Sequence, residues 1–323
     1  MFEGECIAIT GGAGFIGSHV VERLLSTAAA EIRVIDNGVC SDRSNLASVA
    51  GDPRLRIIDA DVRDAQALSV LAGCNRLLHL AATKHNASSD PARLVETNIN
   101  GTYQVLAAAI AGGVQHVVAA SSLYVYGTDL PGPYLEESPL LARSLYGATK
   151  IAGEHLLRSM TSTAGITGTS LRYFFVYGPR LYQHNYANSL VPRTIRRLLK
   201  GQPPVVFGDG QQVFDYLYVG DAADATVQAL ARPIPSGVVN IGSGVGVSVL
   251  DVVAELSRCL EKSCTPEFEA ADETAGTVRV GRVQRQHDIL GTRSTVSLAE
   301  GLQRSVEWCQ WRQKADTTAE PTF

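Results

Sequence analysis

No stretch of this 323-residue chain stays apolar for the about 20 residues that a membrane helix needs. Its first residues, Met1-Phe2-Glu3-Gly4-Glu5, pass directly into Cys6-Ile7-Ala8-Ile9-Thr10. The basic and then apolar run of a secretory signal is missing, so the expectation is a cytoplasmic protein. The six cysteines, Cys6, Cys40, Cys74, Cys259, Cys264 and Cys309, are scattered and form no C-x-x-C pair. That argues against a zinc site and a disulfide framework; reduced thiols and no metal are expected. An excess of positive charge is also missing: 28 Lys and Arg face 32 Asp and Glu, for a net charge of −4. Without a basic stripe, nucleic acid is not an expected partner. Internal repeats and low-complexity tracts are absent as well.

What is present is an ordinary globular composition, 45% hydrophobic and 19% charged, long enough for one large α/β domain or two closely joined lobes. Short apolar runs at Cys6–Thr10, Ile32–Asp36, Leu55–Ala60, Arg76–Ala81, Val114–Ser121 and Thr169–Tyr173 read as strands. Between them Ile16–Leu25, Asn98–Ala111 and Tyr146–Arg158 read as helices. This alternation predicts a doubly wound parallel sheet of Rossmann type, covered on both faces. The second half is less regular, with helices at Leu190–Leu199, Asp221–Ala231, Val249–Leu260 and Leu298–Trp308 and a strand at Val238–Gly242 that rejoins the sheet. The expected division is a dinucleotide-binding domain over 1–173, with 215–242 returning to it. A smaller mixed α/β substrate lobe takes 174–214 and 243–314, and 315–323 is a disordered tail.

Thr10-Gly11-Gly12-Ala13-Gly14-Phe15-Ile16-Gly17-Ser18 follows the first strand and opens the first helix. Gly12, Gly14 and Gly17 satisfy G-x-G-x-x-G, and Gly11 adds a G-x-x-G-x-x-G spacing. Glycines here permit a tight turn and a close approach to a diphosphate, and the helix N-terminus supplies N–H donors and positive partial charge. The second strand ends in Asp36, the acidic position that accepts the ribose hydroxyls of NAD and repels the extra phosphate of NADP. NAD is therefore the expected cofactor, with Asp61-Val62, at the end of the third strand, placed to meet the adenine.

Tyr146 and Lys150 are four apart, hence on one face of a helix. An ammonium beside a phenol favours the phenolate and lowers its pKa from about 10, which makes the tyrosine a general acid/base. Strand Val114–Ala120 runs into Ser121-Ser122 at the carboxyl edge of the sheet, where a serine hydroxyl meets the substrate oxygen.

With these residues in this order, the sequence resembles the extended short-chain dehydrogenase/reductases, specifically the NAD-dependent nucleotide-sugar epimerase/dehydratase family typified by UDP-galactose 4-epimerase. The resemblance runs nearly the whole chain, through His79-Leu80-Ala81-Ala82, Asn98-Ile99-Asn100-Gly101-Thr102, Val125-Tyr126-Gly127, Leu171-Arg172-Tyr173-Phe174, Asp215-Tyr216-Leu217-Tyr218-Val219 and Asn240-Ile241-Gly242. It implies Ser122, Tyr146 and Lys150 as the catalytic set. It implies cofactor contacts at Gly11, Gly14, Phe15, Ile16, Gly17, Asp36, Asn37, Ser41, Asp61, Val62, Leu80, Ala81, Ala82, Lys84, Asn98, Tyr146, Lys150 and Tyr173. Substrate contacts fall at Lys84, Ser122, Leu123, Tyr124, Phe175, Arg180, Phe214 and Arg279. The implied activity is epimerisation of a UDP- or dTDP-sugar at C4 through a transient 4-keto sugar, with NAD regenerated, in a homodimer.

Three departures bear on the substrate. The 4,6-dehydratase branch carries Asp-Glu directly after the catalytic serine or threonine, where this chain has Leu123 and Tyr124. Phe175 stands where the family usually has an asparagine on the substrate diphosphate, and Phe214 replaces a second diphosphate ligand, an arginine. Each charge-assisted hydrogen bond is worth about 1.5–3 kcal/mol. Their loss keeps open an alternative substrate, a non-nucleotide secondary alcohol handled by net oxidation or reduction.

Overall fold

A computed structural model describes residues 1–84, 90–181, 189–234 and 237–318. In chain order the first half contains β1 (Cys6–Thr10), α1 (Phe15–Leu25), β2 (Glu31–Ile35), β3 (Leu55–Ile58), β4 (Arg76–His79), α2 (Pro91–Val95), α3 (Thr102–Ala111), β5 (His116–Ser122), α4 (Leu145–Ala164) and β6 (Thr167–Tyr173). Then come β7 (Phe175–Tyr177), α5 (Leu190–Leu199), β8 (Val205–Phe207), β9 (Val213–Tyr218), α6 (Val219–Ala231), β10 (Gly237–Ile241), β11 (Gly246–Ser248), α7 (Val249–Cys259), β12 (Glu267–Glu269), β13 (Val278–Arg279) and α8 (Leu298–Thr318).

Seven strands form one parallel sheet in the order β10-β6-β5-β4-β1-β2-β3. All five residues of β1 are buried, as a central strand covered on both faces requires. One face packs Ile7, Ile9, Val118 and Leu171 against α1 and α6 through Val20, Leu24, Ala222 and Leu230. The other packs Ala8, Leu77 and Val117 against α3 and α4 through Val105, Leu106 and Leu157. The predicted Rossmann sheet is therefore present.

A smaller sheet centres on β9, which pairs with β11, β13 and β7. Asp215 pins it: the buried carboxylate accepts from the Ser243 backbone N–H and hydroxyl and from the N–H groups of Gly244 and Gly281. The chain expected to return to the large sheet at 215 returns at Val219, because Val213–Tyr218 is the middle strand of the small sheet. The helix expected over Asn98–Ala111 is interrupted by a wide π turn, Glu96–Gly101, that turns Asn98 inward. Helix α8 continues to Thr318, past the expected start of a disordered tail at 315; residues 319–323 lie outside the described ones. Among the described residues no helix is long and apolar enough to cross a membrane, and no cluster of His, Cys, Asp or Glu fits a metal ion. None of the six cysteines is joined in a disulfide.

Candidate active site

The carboxyl ends of β1, β2, β4, β5 and β6 open into a cavity of about 410 Å³, closed on the far side by side chains of β7 and β9. The glycine turn forms its floor. Gly11 has a φ of 73°, and a Cβ there would stand 2.8 Å from the Ala81 nitrogen; a Cβ on Gly17 would stand 2.3 Å from the Gly11 oxygen. No side chain caps α1 behind Gly14, so the positive end of its dipole faces the cavity that Gly14, Phe15, Ile16 and Gly17 line. Side chains at these glycines would fill the cradle; as it stands, it fits a dinucleotide diphosphate.

Asp36 is 6% exposed and already engaged: one oxygen accepts from Ala13 N–H (3.0 Å), the other from Gly38 N–H (3.0 Å) and the Ser41 hydroxyl (2.5 Å). A carboxylate has about four acceptor sites, so capacity for a ribose hydroxyl remains. Asn37 donates to Asp61 (2.9 Å), and Asp61 is pulled down to about 2, chiefly by its bond from Arg63. Asn37, Ser41, Asp61 and Val62 line this end, and Leu80, Ala81, Ala82, Lys84 and Tyr173 line the middle.

Ser122 is the last residue of β5, and Tyr146 lies in the first turn of α4, which Ser144 caps through the Gly147 N–H. Both side chains line the cavity, and the Ser122 hydroxyl favours the ionised form of the phenol. Lys150 donates to the Ala120 carbonyl (3.0 Å), and its ammonium is 5.6 Å from the centre of the Tyr146 ring. The spacing therefore brings Ser122, Tyr146 and Lys150 together. The expected lowering of the phenol is not what the protein alone does: burial, then the neighbouring Tyr124, push Tyr146 above its ordinary value. Burial also pushes Lys150 down to about 8, with Glu154 holding it up. Lys84 falls to about 7 through burial and the charge of Lys150.

The far wall is aromatic. Phe175 stacks on Phe214 with ring centres 4.4 Å apart and 24° between planes, and Tyr216 packs against both. Leu123 and Tyr124 line the cavity beside them, the Tyr124 ring edge-on to Tyr146 at 5.8 Å. Tyr216 was not singled out from the sequence, although it lies two residues after Phe214 and so shares its face of the strand. Tyr177, two after Phe175, and Cys40 beside Ser41 were missed in the same way.

Three expected contacts stand outside the lining. Asn98 is spent on the wall itself: it accepts from the Thr83 N–H and donates to the Thr83 carbonyl and the Thr149 hydroxyl. Arg180 turns under α1 to bond Glu22 (2.5 Å). Arg279, 2% exposed, sits one layer behind, its guanidinium 5.7 Å from the centre of the Phe214 ring and 5.9 Å from that of Tyr124.

The family model described as "NAD dependent epimerase/dehydratase family" matches residues 7–242. A UDP-glucose 4-epimerase from Mycolicibacterium smegmatis is 33% identical, covering 93% of this chain and 97% of that protein. A UDP-glucose 4-epimerase from Thermotoga maritima, solved with UDP-glucose, superposes with a TM-score of 0.88 at 30% identity, over 95% of this chain and 99% of that one. A dTDP-glucose 4,6-dehydratase from Streptomyces venezuelae, solved with NAD, gives 0.88 at 31% identity, over 96% and 98%.

Proposed function

The chain belongs to the NAD-dependent epimerase/dehydratase family, and from that premise we propose that it epimerises a nucleotide-activated sugar, UDP- or dTDP-linked, at C4. NAD is the cofactor, and when bound it supplies the acceptor for the hydride leaving the sugar carbon and the donor for its return. The observation that carries the reading is the convergence of Ser122, Tyr146 and Lys150 on one cavity, with Leu123 and Tyr124 directly after the serine. Tyr146 takes the proton of the sugar hydroxyl at its phenolic oxygen and later returns it. Ser122 bonds the same substrate oxygen and holds it in line with the phenol. The Lys150 charge favours the phenolate against the burial that opposes it. Leu123, 2% exposed, has no proton to exchange, and Tyr124 puts a phenol where the dehydratase branch carries a carboxylate, so the acid and base that eliminate water from the sugar are both missing at these positions.

The test is incubation of NAD-loaded protein with a panel of UDP- and dTDP-sugars, with epimers resolved. Epimer formed without accumulation of reduced cofactor supports the reading. A deoxy-keto product would assign dehydration instead. A second reading, net oxidation or reduction of a non-nucleotide alcohol, is favoured by the Phe175–Phe214 stack, which offers no donor to a diphosphate. It predicts steady release of NADH and no epimer.

The chain is also proposed to form a homodimer. Exposed Tyr103 on α3 and Leu145 on α4 support pairing along these helices, and a one-chain mass by light scattering would overturn it.

A further inference from the structure

Three residues of α4, each one turn beyond the last, grip three successive residues at the end of β5. Tyr146 faces Ser122, Lys150 donates to the Ala120 carbonyl at 3.0 Å, and Glu154 accepts from the Ser121 hydroxyl at 2.5 Å. The first two belong to the proposed chemistry. The third has not been assigned a part in it.

We propose that Glu154 is a positioning residue for the Tyr146–Lys150 pair: its carboxylate ties the end of β5 to α4 and β6 and keeps Lys150 in its ammonium form beside the phenol. The proposal rests on the reading of Tyr146 and Lys150 given above.

The carboxylate accepts three hydrogen bonds, one from Ser121 and two from Arg172. Arg172 on β6 donates to both its oxygens, at 2.8 and 2.7 Å, and the two side chains are only 4% and 8% exposed. A bidentate pair of this kind allows little rotation. The rest of the guanidinium is also satisfied: it donates to the Tyr126 hydroxyl and the Glu136 carbonyl, both at 2.9 Å, and Tyr126 donates to Asn240 at 2.6 Å. The Ser121 hydroxyl then has one place to donate, and the backbone on either side of it carries Ala120 and Ser122. Moving Glu154 would move both the acceptor that aims Lys150 and the serine that faces Tyr146.

The charges work in the same direction. The titratable groups around Lys150 are Tyr146 and Glu154 on its own helix, His79 at the end of β4 and Lys84 in the loop beyond it. His79 bonds the Thr10 and Thr102 hydroxyls and is driven down to about 3, so it stays neutral. Lys84 opposes a second ammonium. Glu154 is the carboxylate that favours one, although Arg172 shares it.

The experiment compares full-length, NAD-loaded wild type with Glu154→Gln, Glu154→Asp and Ser121→Ala. It reads kcat, KM, the pH profile, and the titration of the Lys150 side chain by NMR. In Glu154→Gln the alkaline limb of kcat and the lysine titration both move down by about one pH unit, with KM unchanged. Glu154→Asp restores the charge and hence the limb, while kcat stays severalfold low because the shorter side chain cannot reach every partner. Should Glu154→Gln leave Arg172 unpaired and fail to fold, the other two variants decide. Ser121→Ala then lowers kcat severalfold at unchanged KM and NAD content. A Lys150 titration in Glu154→Gln that matches wild type overturns the proposal, as do wild-type kcat values in both Ser121→Ala and Glu154→Asp. Wild-type turnover in Tyr146→Phe would sink the underlying reading instead; the lysine titration needs no turnover, so the two failures are told apart.

Discussion

The two walls of the cavity are built from different materials. The cofactor wall is backbone: a glycine turn pressed to 2.8 Å of the Ala81 nitrogen, an uncapped helix end and a carboxylate held by two N–H groups and a serine. The facing wall, proposed to meet the sugar, is side chain: Phe175 on Phe214, Tyr216 against both, and Arg279 behind them. Backbone geometry tolerates almost no substitution and recognises what all dinucleotides share, whereas a packed aromatic wall is changed by single residues. On the proposed function, one wall keeps the cofactor constant while the other sets the substrate.

That separation can be broken by experiment. The largest effect is expected where the walls meet: Tyr146→Phe should lower kcat by about 10²–10⁴-fold while NAD and sugar still bind, as measured by turnover and by ligand titration. Next, Gly17→Ala forces a Cβ to 2.3 Å of the Gly11 oxygen. It should weaken NAD by on the order of 10- to 100-fold, read from the cofactor content of the purified protein, and leave sugar affinity alone. Phe175→Ala loses the ring stack, worth about 0.5–1.5 kcal/mol, and should change sugar KM by about 2- to 10-fold without touching NAD content. If Phe175→Ala stripped the cofactor, or Gly17→Ala altered the sugar alone, the walls would not be independent.

The smallest effect is on stability with pH. Lys84 and Lys150 titrate at about 7 and about 8 in the fold against 10.5 for an ordinary lysine. Between pH 7 and 9 these lysines hold more protons in the unfolded chain than in the folded one, and stability should rise with pH across that window. Above about pH 9 the thiols of Cys6 and Cys309, both pushed up to about 12 by burial, oppose the rise, and Tyr146 joins them at higher pH. Thermal melts of cofactor-free protein should show the rise, and Lys84→Met should flatten its lower part.

The same contrast explains what could be read from the sequence. The strand–glycine–helix opening, Asp36 and the Tyr146–Lys150 spacing are local, so a periodicity of two or four residues locates them. Arg279 is different. It belongs to a two-residue strand whose register places it opposite Phe214, across 65 residues of chain, and nothing periodic announces that pairing. Strands β8, β11 and β12 are likewise three residues long, too short to show alternation. Asn98 opens the helical stretch expected from the sequence and falls in a π turn, and a residue name does not tell whether its amide faces the cavity or the wall behind it. For Tyr146 the sequence gives a cation nearby and omits the burial that outweighs it.

The route between the sheets has a practical meaning. β6 ends at Tyr173 and β7 begins at Phe175, while β9 ends at Tyr218 and α6 starts at Val219. At these two crossings there is no slack to act as a hinge or a seam. Grafting a relative's specificity onto this scaffold by exchanging whole modules at those points would tear the hydrogen bonding of both sheets. Retargeting must instead proceed one residue at a time along the cavity-lining faces of β7 and β9, with the joints left intact.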